Sequence, residues 1–378
     1  MLSRPETWFP LRLLVCETCW LAQTEDYAGR EALFTEDYAY FSSFSTSWLK
    51  HAEGYVQAMI ARFGLNEASR VVEIAANDGY LLQFVKAARI PCYGIEPTAS
   101  TATAARAKGL DIIEEFFGAA LARSLVEQER SADLIVANNV LAHVPDINDF
   151  VAGIARLLKP QGIASFEFPH LLRMIEGRQF DTAYHEHYSY LSLSAAERIF
   201  AANGLEIFDV EELETHGGSL RVFAQRPRAG HAIQASVARL LDSEKQFGLL
   251  APDVYRGLQE ASEHIKFGLL EFLLGCRRRG ETVAAYGAAA KGNTLLNFSG
   301  IRGDLVAFVA DRNPDKQHKF LPGSRIPIVS PAHLLARRPP WILLLPWNLR
   351  DEIIGQLADA RRWGARFVTA IPELRVFD

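Results

Sequence analysis

The sequence predicts an α/β protein built from two parallel-sheet units behind a short N-terminal segment. Short β-branched runs alternate with helical runs from Arg70 onward, and the same alternation begins again near Thr282. Strands and helices that alternate at this spacing are typical of a parallel sheet covered on both faces. We place the divisions so that the chain falls into segments 1–47, 48–230 and 231–378.

The elements of the first unit follow from its local patterns. An amphipathic helix is predicted over Trp48–Phe63, ahead of the first strand. The predicted strands are Val71–Ala75, Cys92–Glu96, Asp111–Phe116, Ala132–Val140 and Gly162–Phe168. The predicted helices between and after them are Leu81–Ala88, Ala99–Lys108, Ala119–Glu129, Ile147–Leu158 and Ser194–Asn203. The runs Leu205–Glu211 and Ser219–Gln225 have no helix between them, so we expect an antiparallel pair that closes one edge of the sheet.

The second unit is preceded by two or three helices and almost no strand pattern, over residues 232–279. A strand at Thr282–Tyr286 is then followed by a turn rich in glycine and alanine and by a helix that starts near Asn293. Further strands are predicted at Leu305–Ala310, Trp341–Leu345 and Arg366–Ala370. The second unit therefore repeats the strand–turn–helix order of the first.

Composition excludes several classes of protein. The chain has 378 residues, of which 49% are hydrophobic and 22% charged. A large core is therefore possible, and general disorder is not expected. A net charge of −5 argues against a nucleic-acid-binding protein. No apolar run approaches the roughly 18 residues of a membrane span, and no signal-peptide core is present. Four cysteines make no disulfide framework, which favours a cytoplasmic location.

The strongest local motif ends the first strand of the first unit. The turn Ala75–Gly79 keeps one of the three glycines of a dinucleotide-binding fingerprint, and Glu96 ends the next strand in the place of a ribose-binding acid. An adenosyl ligand without phosphates, S-adenosylmethionine, fits an acidic turn better than a dinucleotide does. The alternative is an ordinary strand–turn–helix in which Asp78 caps the helix. The predicted cofactor-binding residues are Glu73, Ala75, Asn77, Asp78, Gly79, Glu96, Asn138 and Asn139.

Two groups of acid–base residues follow later strands of the same unit. His143 lies just past the fourth strand, behind Asn138 and Asn139, although a single histidine at a strand end is often structural. The loop Tyr184–Tyr190 contains three tyrosines, two histidines and a glutamate. We expect acid–base chemistry, with His187 taking a proton, Glu186 orienting it and Tyr184 donating to an oxyanion. The alternatives are an internally bonded loop or a metal site that uses His185 and His187.

The second unit carries a weaker signal of the same kind. Gly287 and Lys291 lie in the turn between its first strand and helix, where backbone amides attract phosphate groups. Asp311 ends the next strand, again in the ribose position. The alternative is a unit that only scaffolds the first one.

Taken in order, these motifs resemble one family, the S-adenosylmethionine-dependent sugar C-methyltransferases that act on nucleotide-linked keto-deoxysugars. The resemblance covers nearly the whole chain. It is carried by Cys16–Gln23, Tyr38–Ser43, Glu73–Gly79, Asn139–His143, Tyr184–His187, His216–Arg221, Tyr286–Asn293 and Asp311–Lys316.

The resemblance implies three parts. They are a short N-terminal segment like half of a zinc-binding domain, a class I methyltransferase sheet of the Rossmann-like type, and a C-terminal Rossmann-like domain that helps to hold a nucleotide sugar. It also implies that the Tyr184–His187 loop, His143 and a tyrosine of the Tyr38–Tyr40 stretch face the sugar, and we expect Tyr38 to be catalytic together with His143, Tyr184, Glu186 and His187. The substrate-binding residues that we expect are Tyr40, His216, Arg221, Gly287, Lys291, Asn293 and Asp311.

The resemblance also bears on metal. The family's zinc site uses two CxxC pairs, and Cys16 with Cys19 would supply one of them. The second pair is absent from these 378 residues, so we expect either an earlier start of the protein or loss of the metal.

The resulting hypothesis is C-methylation of a nucleotide-linked keto-deoxysugar through an enolate, as a step of deoxysugar biosynthesis. The alternatives are O- or N-methylation of a sugar or small metabolite, and a non-catalytic protein that binds a sugar nucleotide; a zinc-dependent activity is a weaker idea. We expect no nucleic-acid or membrane partner, and either a monomer or a small homo-oligomer.

Overall fold

The computed structural model describes residues 5–27, 29 and 41–378, and the chain divides into two compact units. The central unit contains Leu14–His170 and Glu186–Leu250. The C-terminal unit contains Leu171–His185, Ala251–Asp378 and the residues before Leu14. The predicted organisation into segments 1–47, 48–230 and 231–378 stays a prediction.

The helices and strands have the following bounds. The strands are β1 (Leu13–Val15), β2 (Ala22–Thr24), β3 (Val71–Ile74), β4 (Cys92–Ile95), β5 (Ile112–Ile113), β6 (Ala132–Asn138), β7 (Leu158–Pro169), β8 (Ser189–Tyr190), β9 (Glu206–Leu213), β10 (Ser219–Gln225), β11 (Val283–Tyr286), β12 (Val309–Ala310), β13 (Ile328–Val329), β14 (Trp341–Leu344), β15 (Arg366–Thr369) and β16 (Arg375–Phe377). The α-helices are α1 (Thr46–Phe63), α2 (Leu82–Ala87), α3 (Ala99–Ala107), α4 (Ala119–Glu127), α5 (Ile147–Leu157), α6 (Leu171–Glu176), α7 (Leu193–Ala202), α8 (Ala235–Phe247), α9 (Asp253–Arg278), α10 (Ala290–Phe298), α11 (Pro331–Arg337) and α12 (Arg350–Gln356).

The central unit is built on a seven-stranded sheet in the order β5-β4-β3-β6-β7-β10-β9. The strands from β5 to β7 are parallel, whereas β10 runs antiparallel to both β7 and β9. Alternate side chains of one strand enter different cores: Ile135 packs on one face of the sheet and Leu134 on the other. The α/β class and the predicted antiparallel edge pair are both confirmed.

A small three-stranded sheet, β1-β2-β8, accompanies the large one. Strand β2 pairs antiparallel with β8, so that Ala22 lies opposite Tyr190 and Gln23 lies opposite Ser189. These strands are only two or three residues long. A pattern that short has no readable period, so these strands were not predicted from the sequence.

The C-terminal unit has a six-stranded sheet in the order β13-β12-β11-β14-β15-β16, parallel except for β16. Its core includes Ile342, Leu344 and Phe367. The strand predicted over Leu305–Ala310 is much shorter, because the amides of Leu305 and Val306 donate to the Arg302 carbonyl in a turn. Within the described part of the chain, helices with the length and apolarity of a membrane span are absent.

Candidate functional site

The turn after β3 brings the predicted cofactor residues to the carboxyl end of the central sheet. Ala75, Asn77 and Gly79 all have left-handed backbone conformations, with φ of 57°, 49° and 75°. The acid that ends β4 closes this turn: Asn77 N donates to Glu96 Oε2 at 2.9 Å, and Thr98 N donates to Oε1 at 3.0 Å. Glu96 thus fixes the turn, and its contact with a ribose stays a prediction.

Two glycines allow the turn to pack tightly. A Cβ atom on Gly79 would lie 2.2 Å from Leu110 Cδ1, and one on Gly94 would lie 2.6 Å from the Ala76 Cβ. The positive φ of Gly79 excludes most side chains as well. The glycine that survives from the fingerprint is therefore required by packing, with or without a ligand.

Buried polar groups surround this turn. The residues Glu73, Asp78 and Glu96 are 1%, 4% and 5% exposed. Burial raises the pKa of Glu73 well above its ordinary value, and the charge of Glu96 raises it further. Burial also raises the pKa of Glu96, against the hydrogen bonds that it accepts. Among the described residues, the buried Asn138 Oδ1 has no hydrogen-bond partner, so this edge fits a polar, uncharged or cationic ligand such as an adenosyl sulfonium.

The residues that cover the turn were not predicted from the sequence. Ser42 N donates to Asn77 Oδ1 at 2.9 Å, just before α1 begins. Lys108, at the end of α3, donates to the Asp78 carbonyl at 2.6 Å and to Ser43 Oγ at 2.8 Å. No sequence motif marks Lys108, and its contact with the turn depends on how α3 packs in the folded protein. The contact could therefore not be predicted from the sequence.

The predicted acid–base groups of the central unit come together past β6. The rings of His143 and His187 meet edge to face with centroids 4.6 Å apart, and Tyr190 lies 5.8 Å from His187. Burial lowers the pKa of His143 to about 4, against a hydrogen bond with the Glu186 backbone, so this ring is neutral near pH 7. Burial also raises the pKa of Glu186.

The small sheet holds His187 from the other side. Thr24 Oγ1 donates to the His187 carbonyl at 2.8 Å, and Thr24 N donates to the Tyr188 carbonyl at 3.1 Å. Tyr188 N in turn donates to the Ala142 carbonyl at 2.8 Å. The backbone that carries the His187 ring is therefore fixed by hydrogen bonds.

The first half of the loop belongs to the C-terminal unit. Tyr184 and His185 lie there, and His185 Nε2 is 3.0 Å from the Pro10 carbonyl. The structure thus uses His185 in a surface contact and His187 in a buried cluster. Tyr38 and Tyr40, which were predicted to face the substrate, lie outside the described residues.

Of the two predicted substrate residues that follow β9, Arg221 belongs to a charge network and His216 contacts an aromatic ring. Arg221 is 7% exposed and pairs with Glu167 and Glu211, at 3.1 Å in each case. His216 has a left-handed backbone with φ of 56°, and its ring lies 5.3 Å from that of Trp48. The Arg221 charge is therefore balanced within the protein.

The C-terminal unit contains the same arrangement as the central unit, in which the acid that follows one strand accepts hydrogen bonds from the turn after the neighbouring strand. Ala288 N, in the turn after β11, donates to Asp311 Oδ2 at 2.7 Å, and Asn313 N donates to Oδ1 at 2.8 Å. In the central unit, Glu96 accepts hydrogen bonds from the backbone amides at the two corresponding positions, Asn77 and Thr98. Gly287 has φ of 89°, and a Cβ there would lie 2.4 Å from Pro346 Cγ, so the turn requires glycine.

Lys291 lies in the first turn of α10 rather than ahead of it, because the helix begins before the predicted Asn293. Its Nζ donates to Asn348 Oδ1 at 2.8 Å and lies 4.6 Å from the centre of the Trp347 ring. Trp347 Nε1 also donates to Oδ2 of the fully buried Asp181, at 2.8 Å. Burial lowers the pKa of Lys291 and raises that of Asp181 to about 6, and each charge opposes the shift of the other. In the described chain the buried Asn293 Oδ1 has no partner.

The cysteine pair does not complete a zinc site. Cys16 and Cys19 are half-buried free thiols in the hairpin between β1 and β2. Hydrogen bonds from the backbone of Cys19 and Thr18 lower the pKa of Cys16. In residues 5–27, 29 and 41–378, groups of three or more His, Cys, Asp or Glu placed to hold a metal are absent. Two thiols do not fill a tetrahedral site, so we derive no chemistry from zinc.

Three family models match successive parts of the chain. A zinc-binding domain matches residues 1–34, a methyltransferase domain matches 48–210, and a C-methyltransferase C-terminal domain matches 214–372. C-methyltransferase NovU of Streptomyces niveus is 35% identical over 371 residues, which are 98% of this chain and 88% of the relative.

Solved structures give a more distant likeness. Magnesium protoporphyrin IX methyltransferase of Synechocystis PCC 6803 with bound S-adenosylmethionine is 16% identical, with a TM-score of 0.36, over 47% of this chain and 79% of that one. The PH0226 protein of Pyrococcus horikoshii OT3 is 12% identical, with a TM-score of 0.42, over 50% of this chain and 95% of that one. Likenesses at this distance carry no argument about the site.

Proposed function

Because this chain belongs to the C-methyltransferase family, an S-adenosylmethionine-dependent group of enzymes, we propose that it methylates a carbon atom of a nucleotide-linked keto-deoxysugar. The observation that carries the proposal is the cluster of His143, Glu186 and His187 beside the carboxyl end of the central sheet. Methylation of a hydroxyl oxygen can also use a base, whereas methylation of the carbon next to a ketone requires one, because the C–H proton must be removed to make the carbon nucleophilic.

The residues of the turn after β3 would hold the methyl donor. Glu96 would accept hydrogen bonds from ribose hydroxyls, while Asn138 Oδ1 offers a further acceptor beyond it. Asn139 continues the same edge, with its amide bonded to the Glu167 carbonyl at 2.6 Å. S-adenosylmethionine, when bound, supplies an electrophilic methyl group to a carbon nucleophile.

His187 would make that nucleophile. Its ring takes the proton from the carbon next to the ketone, and the electron pair of the C–H bond becomes the enolate. Neutral His143 and Tyr184 would donate hydrogen bonds to the developing oxyanion. Glu186, whose pKa burial raises, would keep or share a proton near the two imidazoles.

The C-terminal unit would bind the nucleotide part of the substrate. Asp311 occupies the place of a ribose-binding acid, and Lys291 lies in the first turn of α10, where backbone amides point toward a phosphate. Asp181 offsets part of the Lys291 charge, so this unit would favour a ligand that combines phosphate with neutral polar groups.

The test compares two neighbouring histidines, His187→Ala and His185→Ala, on a panel of keto-deoxysugar nucleotides deuterated next to the ketone. We expect His187→Ala to lower both loss of deuterium and methyl transfer by about 10²–10⁴-fold, the usual effect of a general base. His185→Ala should stay within a few-fold of wild type, because His185 bonds to a surface carbonyl.

Two outcomes contradict the proposal in different ways. Deuterium loss at the wild-type rate in His187→Ala would remove His187 from the proton-transfer step. Methyl transfer by the wild type without any deuterium loss would assign the methyl group to oxygen or nitrogen.

A further inference from the structure

A second histidine–carboxylate pair lies at the carboxyl end of the central sheet, outside the cluster described above. Glu167, near the end of β7, is fully buried. His51 Nε2, from α1, lies 3.1 and 3.0 Å from its two oxygens, and Arg221 Nη2 donates to Oε2 at 3.1 Å. A buried carboxylate with these partners is either a structural ion pair or a device that orients the imidazole.

The network fixes which nitrogen of His51 carries the proton. Burial alone would raise the pKa of Glu167, but the hydrogen bonds from His51 and Arg221, together with the charge of Arg221, lower it below its ordinary value. An ionised carboxylate only accepts hydrogen bonds, so Nε2 is the donor. In its neutral form with the proton on Nε2, His51 presents Nδ1 as an acceptor, and Nε2 makes the hydrogen bonds of the ring to Glu167. Trp48 stacks on the ring at 4.8 Å and holds its plane.

The pair lies apart from the acid that ends β4 in the turn proposed to hold the methyl donor. Strands β7 and β4 are three strand spacings apart in the sheet order. At about 4.8 Å per spacing, this separation is roughly 14 Å. Glu96, on the donor side, ends β4, whereas Glu167 lies opposite Asn138 in the register of β7 with β6. The His51 side chain is 21% exposed, so its free edge can meet a ligand.

We propose that His51, oriented by Glu167, binds a hydroxyl group of the methyl acceptor through Nδ1. This inference rests on the proposed function, since it takes a sugar as the acceptor. The Nδ1 atom of neutral His51 accepts a hydrogen bond, and the charges of Arg221 and Glu167 beside it offset each other. This site therefore suits a neutral hydrogen-bond donor, such as a sugar hydroxyl, better than a phosphate or a cation.

The same unit contains a matched pair without access to a ligand. His170 Nε2 lies 2.7 Å from Glu244 Oε1, and the two side chains are 1% and 0% exposed. Because this pair is closed off inside the fold, it serves as the structural control for His51.

Two substitutions separate the two nitrogens of His51. His51→Gln places an amide N–H near the Nε2 position and so keeps the bond to Glu167, but it removes Nδ1. His51→Asn places an oxygen near the Nδ1 position and loses the bond to Glu167. We expect His51→Gln to raise the acceptor KM at least about tenfold with kcat within threefold, and His51→Asn to raise it less.

Further readouts distinguish substrate binding from damage to the fold. Affinity for S-adenosylhomocysteine, measured by calorimetry, should stay within twofold in both His51 variants. The control, His170→Gln, should lower Tm and leave the acceptor KM unchanged. A keto-sugar nucleotide that lacks the ring hydroxyl bound by His51 should bind the wild type more weakly than the parent sugar nucleotide does. The His51→Gln variant should bind the two sugar nucleotides equally well.

The outcomes that overturn the inference differ from those that overturn the proposed function. A wild-type KM in His51→Gln would make the His51–Glu167 pair structural only. A raised KM without deuterium loss in any variant would keep the His51 contact and discard the enolate. Absence of methylation across the whole sugar-nucleotide panel in wild type would discard both.

Discussion

Single buried carboxylates set much of the chemistry of this chain, and Asp181 is one whose charge is poorly compensated. Its side chain is fully buried, and Oδ1 has no hydrogen-bond partner in the described structure. Burial raises its pKa to about 6, against the charge of Lys291. An unfolded aspartate titrates near pH 3.9. The folded protein therefore carries an unfavourable charge above pH 6, which it sheds as the pH falls toward 4.

We predict that Asp181→Asn is more stable than wild type at pH 8 and equal to it near pH 4. The asparagine oxygen still accepts from Trp347 Nε1, while the charge is gone. The shift in pKa corresponds to about 2–3 kcal/mol in the free energy of unfolding, lost between pH 4 and pH 6 as the pH rises. Urea unfolding from pH 4 to 8 measures the difference, with the exposed Asp304→Asn as control. A constant difference across that range would contradict the prediction.

Residues with a local motif could be found from the sequence, and residues that act through packing could not. The position of Glu96 follows from strand spacing, since it ends the strand next to the glycine turn. His51 and Glu167 stand 116 residues apart in the chain and meet only in the folded structure. Neither has a motif around it, so no spacing rule could have paired them.

At the scale of elements, the small sheet β1-β2-β8 supports the candidate catalytic loop. Its strands are short, yet Thr24 bonds to the carbonyls of both His187 and Tyr188. The long periodic strands and helices were predictable because burial repeats along them. The short ones form because a partner strand is present, and that partner lies far away in sequence.

We predict that Thr24→Val lowers kcat several-fold while affinity for S-adenosylhomocysteine stays at the wild-type value. Valine has nearly the shape of threonine but leaves the buried His187 carbonyl without its hydroxyl donor. Loss of that donor costs about 1–2 kcal/mol. Steady-state kinetics and calorimetry measure the two effects. Thr24→Ser keeps the hydroxyl and should behave like wild type; equal loss in both variants would show that the hydroxyl bond is not what matters.

At the scale of the whole molecule, one carboxylate joins distant parts of the central unit. Glu244, on α8, accepts from His170 Nε2 at 2.7 Å, from Leu193 N at 2.6 Å and from Ser194 N at 2.8 Å. His170 is the last residue before the chain enters the C-terminal unit, and Leu193 begins α7 after its return. The alternation of strands and helices predicted two α/β units, but it did not predict that Leu171–His185 belongs to the C-terminal unit. The composition of the chain does not change at the ends of this segment.

We predict that Glu244→Gln destabilises the central unit by about 2–4 kcal/mol, because the amide group of glutamine turns one donor toward another. Hydrogen–deuterium exchange should become faster over α7 and α8 and stay unchanged over β11. Glu260→Gln, at an exposed position of α9, is the matched control. Uniformly faster exchange over both units would contradict this local effect.

The excursion of Leu171–His185 into the C-terminal unit has a consequence for synthesis on the ribosome. Ala183 accepts a hydrogen bond from Thr294 Oγ1, 111 residues later in the chain, and Phe180 packs on Phe298. At about 5–20 residues per second, that partner is made roughly 6–20 s after Ala183. During this interval the nascent chain can assemble the sheet of the central unit, while the segment that leads into the candidate catalytic loop lacks α10, the helix on which it packs. The segment can therefore reach its packed position only after α10 has been made.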